Sequence, residues 1–337
     1  DKFLDDAIEI DVDALYDGND LYVAGIMEHV EEAGVHSGDS ACVIPPQSLT
    51  PEMIREIEDA TRELAHSIGV RGLINIQYAI SKSELYVLEA NPRASRTVPF
   101  VSKATGVQVA KAAALIACGK SISELCASKI LPDVRLGTAH GVSVKEAVLP
   151  WNRFRRIDGQ GVDSVLGPEM KSTGEVMGIA PSFGAAFAKS QIAAFGPLPK
   201  TGSIFISLSD KDKDGSLDSV RALDSLKFEL YATSGTHAFL AEHGIKTNLV
   251  AKHADKSDNP DAISAVDLIN ENKISLVINT PFGRGAARDG RMIRTAAVQR
   301  AVSCITTVPG LRAAVEGIKE LQREQLVPRA IQEWHKT

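Results

Sequence analysis

At 337 residues the chain is long enough for two domains or one large one. Hydrophobic content of 44% and charged content of 24% are those of a globular protein, and a net charge of −6 leaves no basic footprint for nucleic acid. No apolar run approaches the roughly 20 residues that cross a bilayer, so no membrane partner is expected. Cys42, Cys118, Cys126 and Cys304 lack the spacing of a metal site and fit a reduced cytoplasm, with Cys118 and Cys126 reading as small core residues. The chain opens on Asp1 and runs straight into a periodic pattern, with no leader expected, which points to a piece of a longer polypeptide.

Residues Ala7 to Ala14 alternate: Ile8, Ile10, Val12 and Ala14 lie on one face, Glu9, Asp11 and Asp13 on the other. That pattern predicts a half-buried strand with Asp11 and Asp13 on a solvated face. A turn at Asp17-Gly18-Asn19-Asp20 leads to a second strand, Leu21 to Val30. Ala33 to Ser40 is a loop in which Gly34 and Gly38 permit close approach to a ligand. Thr50-Pro51-Glu52 then opens a helix with an N-cap, a first-turn proline and an acid near the positive end of the dipole. This helix ends at Gly69 and reads as scaffold.

The stretch Gly72 to Arg96 reads as a hairpin: a strand Leu73–Ile80, a turn Ser81-Lys82-Ser83-Glu84, and a strand Leu85–Ala90 running into Asn-Pro-Arg. Alternation puts Glu89 and Asn91 on one face with Val87, and Gln77 on the neighbouring strand. Oxygen donors converging there suit Mg²⁺, a hard cation that shares itself with substrate phosphates. Arg93 and Arg96 follow at once and suit an anionic substrate or a transferring phosphoryl group. A solvated hairpin carrying a chance Glu and Asn fits the same spacing.

Thr97 to Gly106 reads as loop and turn, Val107 to Cys118 as a buried helix, and Ser121 to Ser128 as a short helix. Val142 to Pro150 is strand-like, and its Lys145 reads as a surface charge or a carboxylate's partner. Trp151 to Lys171 reads as loop, Ser172 to Gly178 as a tight loop beside the site, and Phe183 to Ala194 as a helix. Gly196-Pro197-Leu198-Pro199-Lys200 marks the expected boundary between domains at 1–198 and 199–337. Beyond it strands and helices alternate: strands at SIFISLS, FELYAT, TNLVAKH, ISLVINT and SCITT, helices at Ser219–Leu226, His237–His243, Pro260–Asn272, Met292–Arg300 and Leu311–Gln322. That order predicts a doubly wound parallel sheet with ligands at the carboxyl ends of its strands. Ser207, Lys211, Lys213, Thr233-Ser234-Gly235-Thr236, Lys252, Asn279 and Thr280 fall at those ends and describe an anion site, with a nucleotide monophosphate the expected ligand. An ordinary α/β domain with polar strand ends fits them too.

The stretch LEANPRASRTVPFVSKATG resembles the metal-binding strand and following loop of ATP-grasp ligases. Together with EHVEEAGVHSGDSACVIPP and GPEMKSTGEVMGIAPSFGAAFAKSQ, it is similar to the carboxy-terminal, carbamate-phosphorylating half of carbamoyl phosphate synthetase large subunits. The resemblance runs over essentially the whole chain. It implies a partial ATP-grasp domain with an antiparallel sheet and helices, followed by a methylglyoxal-synthase-like regulatory domain. The activity implied is ATP-dependent synthesis of carbamoyl phosphate from bicarbonate and glutamine-derived ammonia, serving arginine and pyrimidine biosynthesis. By the same resemblance, Leu4, Glu9, Gly34, Val35, His36, Ser37, Gln77 and Glu89 bind ATP, and Gln77, Glu89 and Asn91 hold the metal. Arg93 and Arg96 are the catalytic pair. Mg²⁺ or Mn²⁺, about two ions per ATP site, and K⁺ are the implied ions. A glutaminase small subunit is the implied partner, within a homo-oligomer of the full complex. Residues matching Ser207, Lys213, Thr233, Lys252 and Asn279 surround an allosteric effector, UMP or IMP. Pro281 departs from the hydroxyl residue of relatives and bears on which nucleotide is preferred. Two other functions stand beside this one: a nucleotide-binding regulatory module without turnover, and a methylglyoxal-forming lyase. The lyase needs carboxylates beside the phosphate site, where SGTHA and INTPFGRG suit binding.

Overall fold

The computed structural model describes residues 4, 7–132, 141–153, 163–251, 263–280 and 286–335. Seven strands form the first sheet: β1 (Ile8–Tyr16), β2 (Leu21–His29), β3 (Cys42–Ile44), β4 (Gly72–Ser81), β5 (Glu84–Asn91), β6 (Val142–Val148) and β7 (Gly174–Ala180). Their order is β5-β4-β1-β2-β3-β6-β7, antiparallel at each pairing. Alternation divides its faces. Ile10, Val12, Ala14, Ile74, Ile76 and Tyr78 pack on helix α1 (Pro51–Ile68) through Ile57 and Ala65. The Tyr78 hydroxyl finds Thr61 Oγ1 at 2.8 Å, which satisfies both groups inside that core. Helix α1 starts and stops where its sequence says: Thr50 Oγ1 accepts from Met53 N at 3.3 Å, Pro51 sits in the first turn, and Gly69 closes the helix at φ 74°.

The opposite face is covered by α2 (Val98–Thr105), α3 (Val109–Ala117) and α4 (Ile122–Ala127), whose Val101, Ala112, Ile116 and Leu125 meet Leu15, Met27 and Cys42. Residues 97–106 were expected as loop; the apolar spacing of Val98, Val101 and Ala104, with Pro99 in the first turn, instead makes a helix. Residues 172–178 were expected as a tight loop, yet from Gly174 they belong to β7. Gly178 is there for approach, not for turning: a side chain on it would overlap Ala186 O and Ser190 N of α5 (Phe183–Ala194), which packs on that strand.

The second sheet is parallel, in the order β10-β9-β8-β11-β12, with β8 (Ser203–Ser207), β9 (Glu229–Thr233), β10 (Asn248–Val250), β11 (Leu276–Asn279) and β12 (Ser303–Ile305). Ile204 and Ile206 face Leu223 of α6 (Lys213–Ser225) and Leu311 and Ile318 of α10 (Val308–Arg323). Phe205 and Val277 face the other way, onto Ile269 of α8 (Ala265–Asn270) and Ala297 of α9 (Ala286–Gln299). Helices on both faces make the doubly wound arrangement expected. Four helices start earlier than expected: α6 at Lys213 within the polar DKDKDG stretch, α7 (Ser234–Glu242) at once after β9, so that Ser234-Gly235-Thr236 is its first turn, α9 at Ala286 and α10 at Val308. A short α11 (Ile331–Trp334) follows the rest. The two sheets share one buried core, because Ala185 and Ala188 of α5 pack with Leu198, Leu311 and Ile318 across residues 196–200. Among the described residues no helix is long and apolar enough to cross a membrane.

Candidate functional site

The β4–β5 hairpin turns on Lys82 and Ser83 alone, both left-handed at φ 53° and 62°, the geometry of a two-residue hairpin loop. Gln77 pairs with Glu89 and Asn75 with Asn91, but Tyr78 pairs with Val87, so Leu88 is an extra residue. The bulge changes the face. Gln77, Glu89 and Asn91 share the side away from α1, as expected, whereas Val87 follows Tyr78 to the α1 side. Its expected place beside Glu89 is corrected accordingly. Asn91 Nδ2 donates to Glu89 Oε1 at 2.6 Å, so these donors touch. Glu89, Arg93 and Arg96 are exposed and Gln77 and Asn91 half-buried, with Arg96 against Met170 Sδ. The Arg93 guanidinium donates to the adjacent Ala94 O at 3.2 Å.

Behind these donors lies a buried acidic row, which corrects the expectation of solvent at Asp11 and Asp13: Glu9, Asp11 and Asp13 are 5%, 1% and 0% exposed. Each has found partners. Asp11 Oδ2 lies 3.0 Å from His29 Nε2. Burial works against an imidazolium at His29, but Cys42 and Asp11 beside it hold its pKa well above the ordinary value. Asp13 takes Asn75 Nδ2 (3.0 Å), Ser95 Oγ (2.7 Å) and Thr97 Oγ1 (2.7 Å), and burial still raises its carboxyl to about 6. Glu9 is raised by burial too, against the pull of His29 and of the Gly34 N–H, which donates to Glu9 Oε2 at 3.3 Å.

That last bond joins two expected nucleotide residues. Gly34 is exposed in the left-handed region at φ 98°, and Val35, His36 and Ser37 are half-buried after it. The loop is pinned from below by Lys145, whose Nζ donates to Ser37 O (3.0 Å) and Ser40 O (2.7 Å). Lys145 is 1% exposed, so its reading as a surface charge is corrected. Burial lowers its pKa, but Cys42, Glu175, Glu146 and Glu31 more than offset that, and the ammonium is retained. From above, the loop is held by the segment leading into β7: His36 N donates to Gly167 O (2.9 Å), and Lys171 N and Ser172 N donate to the Asp39 carboxylate (2.7 and 2.9 Å). Leu4 is half-buried ahead of β1.

In the second sheet, Ser207 ends β8 and Thr233 ends β9, with Thr233 Oγ1 donating to Ser207 Oγ at 3.2 Å. Lys213 Nζ approaches the first turn of α7, 3.8 Å from where a Gly235 Cβ would stand, and pairs with Asp210 at 2.6 Å. Lys213 thus stands beside the first turn of α7, which follows Thr233 directly. Asn279 pairs with Ser207 in register, but its Oδ1 accepts from Arg294 Nη1 at 2.5 Å, so its side chain is engaged on the α9 side. Lys252, Pro281 and the PFGRG loop lie outside the described residues.

The comparisons bear on both halves. Residues 1–125 match the family described as "Carbamoyl-phosphate synthase L chain, ATP binding domain" and residues 215–306 the "MGS-like domain". The carbamoyl phosphate synthase large chain of Streptomyces avermitilis is 54% identical over 99% of this chain and 31% of its own length. That of Mycobacterium bovis is 52% identical over 100% of this chain and 31% of its own. The chain is a homologue of carbamoyl phosphate synthase large chains. It spans under a third of the length of these relatives. Among solved structures, the biotin carboxylase subunit of pyruvate carboxylase aligns with a TM-score of 0.42 and 17% identity, over 58% of this chain and 46% of that one.

This homologue of the synthase large chain also has features that sequence reasoning missed. Arg294, 1% exposed, makes a bidentate pair with Asp163 at 2.6 Å from both Nε and Nη2 while holding Asn279. A cavity of ≈ 400 Å³ lies between α5 and the β12–α10 junction, lined among others by Glu31, Glu146, Gln191, Cys304 and Thr307. Burial, together with the like charge of Glu31, raises Glu146 to about 8, and Gln191 Nε2 donates to it at 2.6 Å. No sequence signal marked these acids as a pair, since they lie far apart in the chain and meet only where β6 passes the segment after β2.

Proposed function

We propose that residues up to the α5 helix form part of an ATP-dependent ligase site that phosphorylates carbamate, within a protein that makes carbamoyl phosphate from bicarbonate, glutamine-derived ammonia and ATP. The observation that carries this reading is the meeting of Gln77, Glu89 and Asn91 on one sheet face, with Arg93 and Arg96 exposed at the strand's end. Glu9 and Gly34, bonded to each other on the same side of the sheet, would take the nucleotide.

Among the described residues no group of 3 or more His, Cys, Asp or Glu is placed to hold a metal. The donor set proposed is of another kind, one carboxylate with two amide oxygens, and adjacent hard oxygens suit Mg²⁺ or Mn²⁺. Such an ion, when bound, supplies positive charge against the phosphates. The chain's own residues do the rest. Glu9 and the Gly34 loop orient the nucleotide, while Arg93 and Arg96 hold carbamate and offset charge on the transferred phosphoryl. Catalysis of this type is positioning plus charge neutralisation. Changing Glu89→Ala in the full-length protein is expected to abolish ATP formation from carbamoyl phosphate and ADP; wild-type activity would defeat the assignment.

The second sheet supports a regulatory role: Ser207 and Thr233 touch at strand ends, and Lys213 stands by the first turn of α7, a helix start that suits an anion. A nucleotide monophosphate, UMP or IMP, is the proposed effector, and a glutaminase small subunit the proposed partner of the whole protein. Calorimetric titration with UMP, with Lys252→Ala as control, checks the effector site. Saturable binding lost in the variant is the expected outcome, and wild-type affinity in the variant would remove Lys252 from the site.

A further inference from the structure

Asp13 is fully buried in β1, yet it touches the loop that carries both arginines. Ser95 and Thr97 flank Arg96, and Ser95 stands two residues beyond Arg93. Their hydroxyls reach Asp13 Oδ1 and Oδ2, each at 2.7 Å, and lie 2.8 Å from each other. The carboxyl group and the hydroxyls thus form a closed ring. Ser95 Oγ also accepts Val98 N at 3.2 Å, which ties the ring to the start of α2.

We infer that Asp13 is a positioning residue: closing this ring fixes Ser95 and Thr97 and so aims Arg93 and Arg96 at the mouth of the site. The inference rests on reading those arginines as the anion-holding pair. Hydrogen counting sharpens it. When the carboxylate is ionised, both hydroxyls donate to it and nothing bridges the 2.8 Å contact between them. When Asp13 carries a proton on Oδ2, it donates to Thr97, Thr97 donates to Ser95, and Ser95 donates to Oδ1, so every contact has its hydrogen. Asn75 Nδ2 donates to Oδ1 in either state. Asparagine at position 13 would serve as the protonated acid does, its Nδ2 donating to Thr97 and its Oδ1 accepting from Ser95 and Asn75.

The test is ATP formation from carbamoyl phosphate and ADP by the full-length protein. Asp13→Asn is expected to keep kcat/KM for carbamoyl phosphate within about threefold, and Asp13→Ala to lower it about 10- to 100-fold, the scale of a small misplacement of reacting groups. KM for ADP stays unchanged in both. Equal losses in the two variants, a matching rise in KM for ADP, or wild-type kinetics in Asp13→Ala would each overturn the inference. Thr97→Val keeps shape without the hydroxyl and serves if Asp13→Ala does not fold: a loss of about threefold or more in kcat/KM for carbamoyl phosphate is expected from opening the ring at Thr97, and an unchanged value overturns. Arg93→Ala and Arg96→Ala separate the two levels. Full activity in both removes the parent reading and this one with it. Lost activity there beside intact Asp13→Ala removes this one alone.

Discussion

The two sheets carry their polar groups in different places. In the antiparallel sheet they stand in rows across one face, with Glu9, Asp11 and Asp13 on β1 and Gln77, Glu89 and Asn91 beside them, and later segments decide which are covered. In the parallel sheet the strand interiors are apolar on both sides, and the polar groups stand at the strand ends, at Ser203, Glu229 and Asn248 where strands begin and at Ser207, Thr233 and Asn279 where they finish. A polar residue in the first sheet is therefore as much framework as ligand contact. One in the second can be changed with little harm to the core.

The largest effect should fall where the first sheet's framework is charged. Lys145→Met would strand Ser37 O and Ser40 O and leave Glu31 and Glu146 without the nearby cation. Breaking a buried charge arrangement from one side costs about 3–5 kcal/mol. Urea unfolding should show a loss of that order; a loss below about 1 kcal/mol, the scale of a surface pair, would return Lys145 to the role of a solvated charge. In the second sheet the matching change, Arg294→Met, should cost less, about 2 kcal/mol, because the Asp163 side chain is 30% exposed and can turn to water. Equal costs would mean that the two sheets do not differ in this way.

Next comes a change whose sign depends on pH. Glu146 has its carboxyl raised to about 8 by burial and by Glu31. A raised acid favours folding while protonated, so its contribution is fully present below the ordinary carboxylate range and is lost as pH rises through about 8. Glu146→Gln keeps the neutral form at every pH and leaves Gln191 an oxygen to donate to. The variant should melt near the wild type at pH 5 and several degrees above it at pH 9. A constant difference across that range would show that Glu146 is not held protonated.

How much of this was legible in the sequence follows from the range of the forces involved. Local signals were read correctly: Thr50, Pro51 and Gly69 bound α1, Phe183–Ala194 is α5 to the residue, and the strand–helix alternation after 200 gave the parallel sheet. Signals whose meaning depends on distant chain were misread. The alternation of β1 is correct, but the Gly34 loop, His29 and the Ser95–Thr97 turn cover its polar face, and nothing in residues 7–14 announces that. Gly178 looked like a turn because the helix that demands its missing side chain comes later. The Leu88 bulge is a property of the pairing with β4, so strict alternation put Val87 on the wrong face. The donors of the proposed metal set were legible because they cluster within one hairpin. Asp163, Arg294 and the Glu31–Glu146 pair were not, because each is assembled from separate parts of the chain.

The smallest structural effect, and the sharpest test of the contrast, lies at Thr233. Its hydroxyl donates to Ser207 Oγ at 3.2 Å, at the end of β9. Thr233→Val preserves shape and β-branching and removes that one bond, so the stability cost should stay within about 1 kcal/mol. If these strand ends hold a phosphate group, the hydroxyl can turn from Ser207 to donate to it, and its loss should weaken UMP binding about tenfold, which corresponds to about 1.4 kcal/mol. Calorimetric titration and urea unfolding on the same preparation would read both numbers. A variant that binds like the wild type while melting lower would make Thr233 part of the framework, and the strand ends of the second sheet would then follow the same rule as the polar face of the first.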